Sequence, residues 1–421
     1  MILQERSMMV QDARLTLTAA NFAQQTVRCD IPRSWPIEEI LVVAQVTIAA
    51  AANTGSIAFG LLNLLRRVQL EVTEPGGPRT VINATGPGIL QHVSNEGLSL
   101  DRATLQVLAS TNQGFLKGTG VYRCVYRIPL VNPAITGALR PRMLLPVHLH
   151  PQNPQLVLEF ASAAEMFSAV ADPFTAANVE VHLIQRDMPR SFAAAINDET
   201  KGSPWNWFIR SDIQETIFPI SVSQTNSEQR FAIPQPGQYS GLTIYMEKGN
   251  ATLAIDDISA NTTVGQETLW RIESGGSVLR AWRNKVMQAR NDSSRAVQPQ
   301  SMFNLNVLTA ASPKLVTSAT AVVSATAIEV LGPNFGGPAG TGLGTQAPAS
   351  IFHDFLSDGV TDADELGSLL DCNAPTLSGL KMEIVGNVTT PANQASNFKV
   401  VGRRYFGDLS RWQSVARLGA A

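Results

Sequence analysis

Hydrophobic and polar residues alternate over short runs of this chain, and a period of two predicts β-strands. In QLVLEF (155–160), Leu156, Leu158 and Phe160 take one face and Val157 and Glu159 the other. NVEVHLI (178–184) sets Val179, Val181 and Leu183 on one face. ILVVAQVTIAAA (40–51) is almost continuously apolar and reads as a strand buried on both faces. Similar runs rich in Val, Ile, Thr and Phe recur between Pro, Gly and Asn, and 24 prolines interrupt any long helical period. Helical candidates are few and short: TGPGILQHVSNEG (85–97), SVLRAWRNKVMQAR (277–290) and DADELGSLLD (362–371). Many short strands at regular spacing point to β-sandwiches and away from a βαβ protein.

The pattern occurs twice. NFAQQTVRCDIP (21–32) matches NSEQRFAIP (226–234): each has Asn, Gln three residues on, then Ile-Pro. LLRRVQLEVTEPGG (64–77) matches TLWRIESGG (268–276), with an Arg before a β-branched residue and a Gly-Gly turn. LLPVHLHPQNPQLVLEF (144–160) matches LLDCNAPTLSGLKMEI (369–384), which sets Phe160 against Ile384. NVEVHLIQR (178–186) matches NFKVVGRR (397–404). The four blocks keep their order at offsets of about 205, 204 to 199, 224 and 219, which argues for two copies of one β domain. The jump between the second and third offsets places an insertion in the second copy within 292–350, most visibly LGPNFGGPAGTGLGTQAPAS (331–350). A polar, Pro- and Gly-punctuated stretch (185–206) joins the copies. The division reads as a first domain 1–190 with an N-terminal arm, a linker 191–206, and a second domain 207–421 with the insertion and a C-terminal tail.

Composition narrows the classes. Among 421 residues, 32 Lys and Arg stand against 34 Asp and Glu, a net charge of -2. Charged residues make up 16%, against about 25% in an average soluble domain. With 44% hydrophobic residues the chain is no disordered polyelectrolyte. It lacks the cationic excess of a nucleic-acid coat, so no sequence-specific nucleic-acid binding is expected. No apolar run reaches the roughly 18 residues of a membrane-spanning helix. A weakly charged surface on so large a chain invites association. Cys29, Cys124 and Cys372 lie too far apart in sequence for a disulfide framework, and their odd number argues for a reducing compartment. MILQERSMMVQDARL carries charges at Glu5, Arg6, Asp12 and Arg14 and does not read as a signal peptide.

Chemical motifs are sparse, and no catalytic residue, cofactor or metal site is expected. Gly340, Gly342 and Gly344 imitate part of a dinucleotide loop but lead into Pro348 with no helix after them, so with Phe335 they read as an outer surface loop. No Gly-Lys-Ser/Thr is present, which excludes a P-loop. His148 and His150 would share one face of a strand, and a metal would need a third ligand such as His182, so they read as ordinary sheet residues. DFLSDGVTDADE (354–365) misses the calcium-loop spacing and reads as a turn followed by a helix N-terminus. No Gly-x-Ser-x-Gly or local cysteine motif marks a nucleophile. In LSRWQSVARL (409–418), Leu409, Trp412, Val415 and Leu418 recur at three-residue spacing, which suits a short amphipathic helix docked on a neighbour, on a membrane, or on its own chain.

The duplicated blocks, chiefly NFAQQTVRCDIP/NSEQRFAIP and LLPVHLHPQNPQLVLEF/LLDCNAPTLSGLKMEI, make the chain resemble the double jelly-roll major capsid proteins of the tectivirus–adenovirus lineage over roughly 14–406. The resemblance implies an all-β fold of two tandem eight-stranded jelly-roll sandwiches with a few short helices. It further implies a homotrimer of pseudo-hexagonal outline, tiled with neighbouring capsomers and vertex or minor capsid proteins into an icosahedral shell. It implies a bacteriophage-like virion built from protein made in the host cytoplasm, outward loops with 292–350 as the candidate tower, and termini near an internal membrane in members that have one. The rival reading is a glycan-binding or glycan-cleaving β-sandwich, a phage spike or carbohydrate-active enzyme. It needs an aromatic platform or a carboxylate pair, and aromatics are only 6% of this chain.

Overall fold

A computed structural model describes residues 5–9, 15–18, 26–48, 60–98, 120–135, 139–162, 174–187, 202–220, 227–234, 237–248, 251–253, 269–274, 277–283, 351–356, 369–372, 382–388 and 396–406, with a few short pieces besides. The first half carries β1 (Glu5–Met9), β2 (Leu15–Thr18), β3 (Thr26–Asp30), β4 (Ile37–Ile48), β5 (Leu65–Glu74), β6 (Gly77–Ala84), helix α1 (Gly86–Asn95), β7 (Gly120–Pro129), β8 (Gln155–Phe160) and β9 (Phe174–Arg186). The period-two pattern decides which face each strand buries. Leu156, Leu158 and Phe160 of β8 are fully buried, as are Val179, Val181 and Leu183 of β9. In β4, Ile40, Val42, Ala44 and Val46 are fully buried while Leu41 and Val43 are half-buried and Gln45 is exposed, so this apolar run is one-sided and not buried on both faces.

The second half carries β10 (Arg210–Ile220), β11 (Ser227–Ala232), β12 (Gln238–Lys248), β13 (Ala251–Leu253), β14 (Leu269–Ser274), β15 (Ser277–Arg283), β16 (Asn304–Leu305), β17 (Ala347–Pro348), β18 (Ile351–Asp354), β19 (Leu370–Asp371), β20 (Met382–Val388) and β21 (Ser396–Phe406). Two helical expectations change here. Of SVLRAWRNKVMQAR, Ser277–Arg283 is strand β15, paired with β14 from Ser274–Ser277 outward, because ladder hydrogen bonds override the helical spacing of its apolar residues, and 284–290 lie outside the described residues. Of DADELGSLLD, Leu370–Asp371 is a short strand and 362–368 lie outside the described residues.

Both halves follow one strand order. Counting β1 and β2 as one position, the first half pairs its strands 1-8-3-6 in one sheet (β1/β2, β9, β4, β7) and 2-7-4-5 in the other (β3, β8, β5, β6). With the short β13, β16, β17 and β19 left out of the count, the second half repeats 1-8-3-6 (β10, β21, β12, β18) and 2-7-4-5 (β11, β20, β14, β15). That order is the jelly roll. A core including Val42, Val68, Leu70, Leu158 and Val181 fills the first sandwich, and one including Phe231, Leu242, Ile272, Ile384 and Phe398 fills the second.

The four repeated sequence blocks fall on matching strands: β3 with β11, β5 with β14, β8 with β20, and β9 with β21. Two shared β-bulges fix the register between copies. An extra residue interrupts β4 at Glu38 and β12 at Ser240, which matches Ile184 to Arg403. Another interrupts β6 at Val81 and β15 at Leu279, which matches Leu70 to Ile272. Cross-strand partners then match Leu156, not Phe160, to Ile384, because Leu70 pairs with Leu156 and Ile272 with Ile384. The polar joining stretch begins inside β9, which runs to Arg186.

One pairing joins the copies. Near the end of β6, Ile82 and Asn83 lie parallel to Ile213 and Gln214 of β10, so the second sheet of the first roll and the first sheet of the second become one ten-stranded sheet.

Candidate functional site

The densest buried chemistry of the described residues lies at the seam between the two rolls. Helix α1 bridges it. Thr85 caps the helix, its Oγ1 accepting from the Gly88 N–H at 3.1 Å, and Pro87 stands in the first turn, where its missing N–H costs nothing. At the other end Gly97 adopts φ +95°, and the N–H groups of Gly97 and Leu98 return to the carbonyls of Ser94 and Val93, both at 2.9 Å. Ile89, Leu90 and Val93 join the first core. Gln91, His92, Asn95 and Glu96 are equally buried, and His92, Asn95 and Glu96 reach residues of the second roll.

Glu96 meets Arg403 of β21 in a bidentate pair, Nε to Oε1 and Nη2 to Oε2, both 2.8 Å, with each side chain 1% exposed. Two further Arg403 N–H groups reach the carbonyls of Pro129 at 3.0 Å and Leu130 at 3.1 Å. An acidic residue at a helix C-terminus is opposed by the helix dipole, and burial opposes its charge further. The Arg403 guanidinium, with the His92 ring beside it, outweighs burial and holds the Glu96 carboxyl well below its usual range. Burial works against the Arg403 charge too, but Glu96 keeps its pKa above the ordinary value. The His92 Nδ1 lies 3.0 Å from Thr243 Oγ1 on β12, and Asn95 donates to the same oxygen at 3.1 Å.

A second cluster centres on Glu215 of β10, which accepts from the Thr85 N–H and from the Tyr245 hydroxyl and lies 3.6 Å from Lys399 Nζ. A residue of the second roll therefore holds the cap of a helix that belongs to the first. Lower on the seam, Arg404 and Asp212 form another bidentate pair at 2.8 Å. Burial outweighs Arg404 there and raises the Asp212 pKa. Arg79 donates to the Ser211 carbonyl at 3.0 Å, and Gln214 donates to the Thr80 carbonyl at 2.9 Å.

Apolar residues close the seam. Val131, Leu139, Met143 and Leu144 from one side pack with Trp207, Phe208, Ile209 and Tyr405 from the other. The histidines singled out in sequence sit here and on β9. Val147–Leu149 forms a 3₁₀ turn, so His148 and His150 do not share a strand face. His150 packs edge-on against Trp205 at 4.9 Å and His148 against Phe208 at 6.2 Å, while His182 meets Glu180 at 3.2 Å. No group of three His, Cys, Asp or Glu side chains placed to hold a metal occurs among the described residues. Asp354 of the acidic stretch accepts from the Leu356 N–H at 3.1 Å, which makes it a turn residue. A groove of about 520 Å³ beside α1 contains Glu159, Glu165 and Glu215. Each of these faces a cation: Arg67, Arg66 and Lys399. The outer-loop candidates Phe335, Gly340, Gly342 and Gly344, and the C-terminal candidates Leu409, Trp412, Val415 and Leu418, lie outside the described residues.

Sequence reading missed the seam. One signal was available: Arg403 stands where its repeat partner is Ile184, a charge inside a strand whose twin is aliphatic.

The geometry recurs in solved structures. The MCP of STIV matches with a TM-score of 0.57 at 15% identity, covering 99% of this chain and 100% of that one. A chain of Sulfolobus Turreted Icosahedral Virus matches at 0.58, with 13% identity, 99% of this chain and 94% of that one. The fold is the double jelly roll. The PBCV-1 virus capsid has the same double jelly roll, at a TM-score of 0.51 and 11% identity, over 96% of this chain and 94% of that one. No family model and no curated protein matches the sequence, so the double jelly roll is shared at the level of strand order rather than residue identity.

Proposed function

We propose that this chain is the major capsid protein of an icosahedral virus, a structural protein that performs no catalysis. The observation that carries the reading is the end-to-end match of two fused jelly rolls to capsid chains, with coverage of 94% or more on both sides. Three copies form a trimer of pseudo-hexagonal outline, and these capsomers tile with vertex and minor proteins into the shell. The first roll takes 1–190, the linker 191–206, and the second roll 207–421. Two observations support this division: one core draws its residues from Val27 to Leu183, and another from Ile220 to Val400. The insertion falls between β15 and β18, since 45 residues separate Asn83 from Ile128 while 72 separate their counterparts Ala281 and His353. The loop around Phe335, Gly340, Gly342 and Gly344 is the outward tower. The segment carrying Leu409, Trp412, Val415 and Leu418 faces inward, toward a neighbouring capsomer or an internal membrane. The protein is made in the host cytoplasm and resides in the virion.

A weakly charged surface fits such a role, because walls covered by neighbours desolvate few charges. The test is mass and shape. Purified protein run through size exclusion with light scattering and imaged by electron microscopy gives trimers of hexagonal outline, or closed shells. A monomer that binds or cleaves glycans overturns the reading.

A further inference from the structure

Several strand edges stand open among the described residues, those of β3, β7 and β11 included, but only two of these open edges have a counterpart that is paired with the other roll. β15 pairs with β14 on one side only, and β1 and β2 pair with β9 on one side only. An open edge presents unpaired backbone donors and acceptors, and proteins blunt it or pair it. Inside the chain the counterparts of these two edges pair with each other. β6 is the twin of β15, β10 is the twin of β1/β2, and β6 lies parallel to β10.

The shared bulges carry this correspondence to single residues. Ile82 pairs with Leu70 just past the bulge at Val81, and Arg280 pairs with Ile272 just past the bulge at Leu279. Arg280 and Ala281 thus hold the places of Ile82 and Asn83. On the other edge, Ile213 sits beside Arg403, and Ser7 sits beside its counterpart Ile184. Ser7 and Met8 thus hold the places of Ile213 and Gln214.

Burial points the same way. Val81 is 3% exposed, and the small cavity it lines is closed by Phe208, Ile209 and Ser211, the stretch that opens the second roll. Its twin Leu279 is 53% exposed, and the adjacent Val278 is 51% exposed. The second roll therefore carries an apolar patch at the place where the first roll is covered by the next roll in line.

We propose that β15 of one copy pairs in parallel with β1 of a second copy, Arg280 opposite Ser7 and Ala281 opposite Met8, and that this contact covers Leu279. The partner is a second copy of this chain because, among the described residues, the strand seated on the equivalent edge belongs to this chain's own repeat. The contact is heterologous, so it closes into a ring when the rotation permits. In a ring of three copies, the same roll-to-roll contact occurs three times within chains and three times between them. The inference rests on the capsomer reading and adds which edges meet and in what register.

The test uses the full chain with Ser7→Cys and Arg280→Cys together, oxidised and run on non-reducing gels. Neighbouring strands bring paired residues within disulfide reach, and the native Cys29, Cys124 and Cys372 are buried. Covalent dimers and trimers in the double variant, absent from both single variants, are expected. Leu279→Asp should raise the concentration needed for assembly at least about tenfold while leaving the circular-dichroism spectrum and melting of the monomer unchanged. Wild-type trimers that give no cross-link in the double variant, or assembly indifferent to Leu279→Asp, overturn the edge pairing and leave the capsomer reading standing. A wild-type chain that stays monomeric overturns both.

Discussion

Glu96 and Arg403 stand 307 residues apart in sequence and meet in two 2.8 Å hydrogen bonds with almost no solvent on either side. The pair locks the last turn of α1 to the strand that runs through the middle of the second roll. Its net worth is smaller than its geometry suggests, because both charges lose their water. Breaking it is another matter. Arg403→Ala strips a buried carboxylate of its guanidinium, and we expect a loss of about 3–5 kcal/mol in denaturant unfolding. Glu96→Leu with Arg403→Met should cost clearly less than Arg403→Ala alone. A loss under about 1 kcal/mol for Arg403→Ala would show that the seam does not depend on this pair.

Two groups of the seam give acid sensitivity in different windows. Burial, and then the nearby His150, pull His148 down to about 4 from its ordinary 6.5. A histidine with a depressed folded pKa binds fewer protons folded than unfolded, so its stabilising contribution is present above about 6.5 and is lost as pH falls toward about 4. His148 is exposed in the fold, so solvent screens much of this effect. Glu96 is also depressed, so its contribution is present above the ordinary carboxylate value and is lost only at lower pH. The melting temperature should therefore fall between pH 6.5 and 4, and His148→Gln should flatten that limb while leaving the steeper acid limb. An unchanged slope in His148→Gln would remove His148 from the account.

Gly86 opens α1 where no side chain fits. A Cβ there would lie 2.8 Å from the Tyr126 ring and 2.9 Å from the Leu65 carbonyl, and Tyr126 is itself fully buried. Neither neighbour can withdraw cheaply, so Gly86→Ala should cost about 1–3 kcal/mol despite the helix propensity gained. Gly76→Ala is the control, since a Cβ there meets nothing within 4 Å. Equal melting temperatures for the two variants would contradict the steric argument.

Much of this fold was legible because alternation is a local property. QLVLEF and NVEVHLI declare their core faces, although Val157 on the other face of QLVLEF is buried too, and the order of four repeated blocks is enough to show that one roll follows another. Register was legible only in part: the fourth block already set Ile184 against Arg403, as the ladders do, but the third did not. A slide of four residues in the third block keeps every side chain on its own face, so the match of Phe160 to Ile384 looked as good as the match of Leu156 that the ladders enforce. The bulges at Glu38, Ser240, Val81 and Leu279 carry no distinctive residue type, so nothing in the sequence marked where each pair of strands gains a residue. The seam was hidden for a different reason. Its charges come from α1, β10 and β21, and only the parallel junction of β6 with β10 brings them together. SVLRAWR misled because two aliphatic residues and a tryptophan fit a helical face as well as an edge strand.

Glu215 acts on α1 through its cap, and that relationship can be measured as a coupling. Thr85 satisfies the Gly88 N–H from within the helix, while the Thr85 N–H itself is taken by the Glu215 carboxylate. Tyr245 joins them, its hydroxyl 3.1 Å from Thr85 Oγ1 and bonded to Glu215. Loss of an ordinary cap hydroxyl costs about 0.5–2 kcal/mol. If Glu215 holds the cap in place, Thr85→Ala and Glu215→Gln should not add. Each removes part of what the other needs, so the double variant should be more stable than the sum of the singles predicts by about 0.5 kcal/mol or more. Chemical denaturation of the four proteins gives the cycle directly. Additivity within error would mean that Thr85 caps α1 independently, and that Glu215 serves only Lys399 and Tyr245.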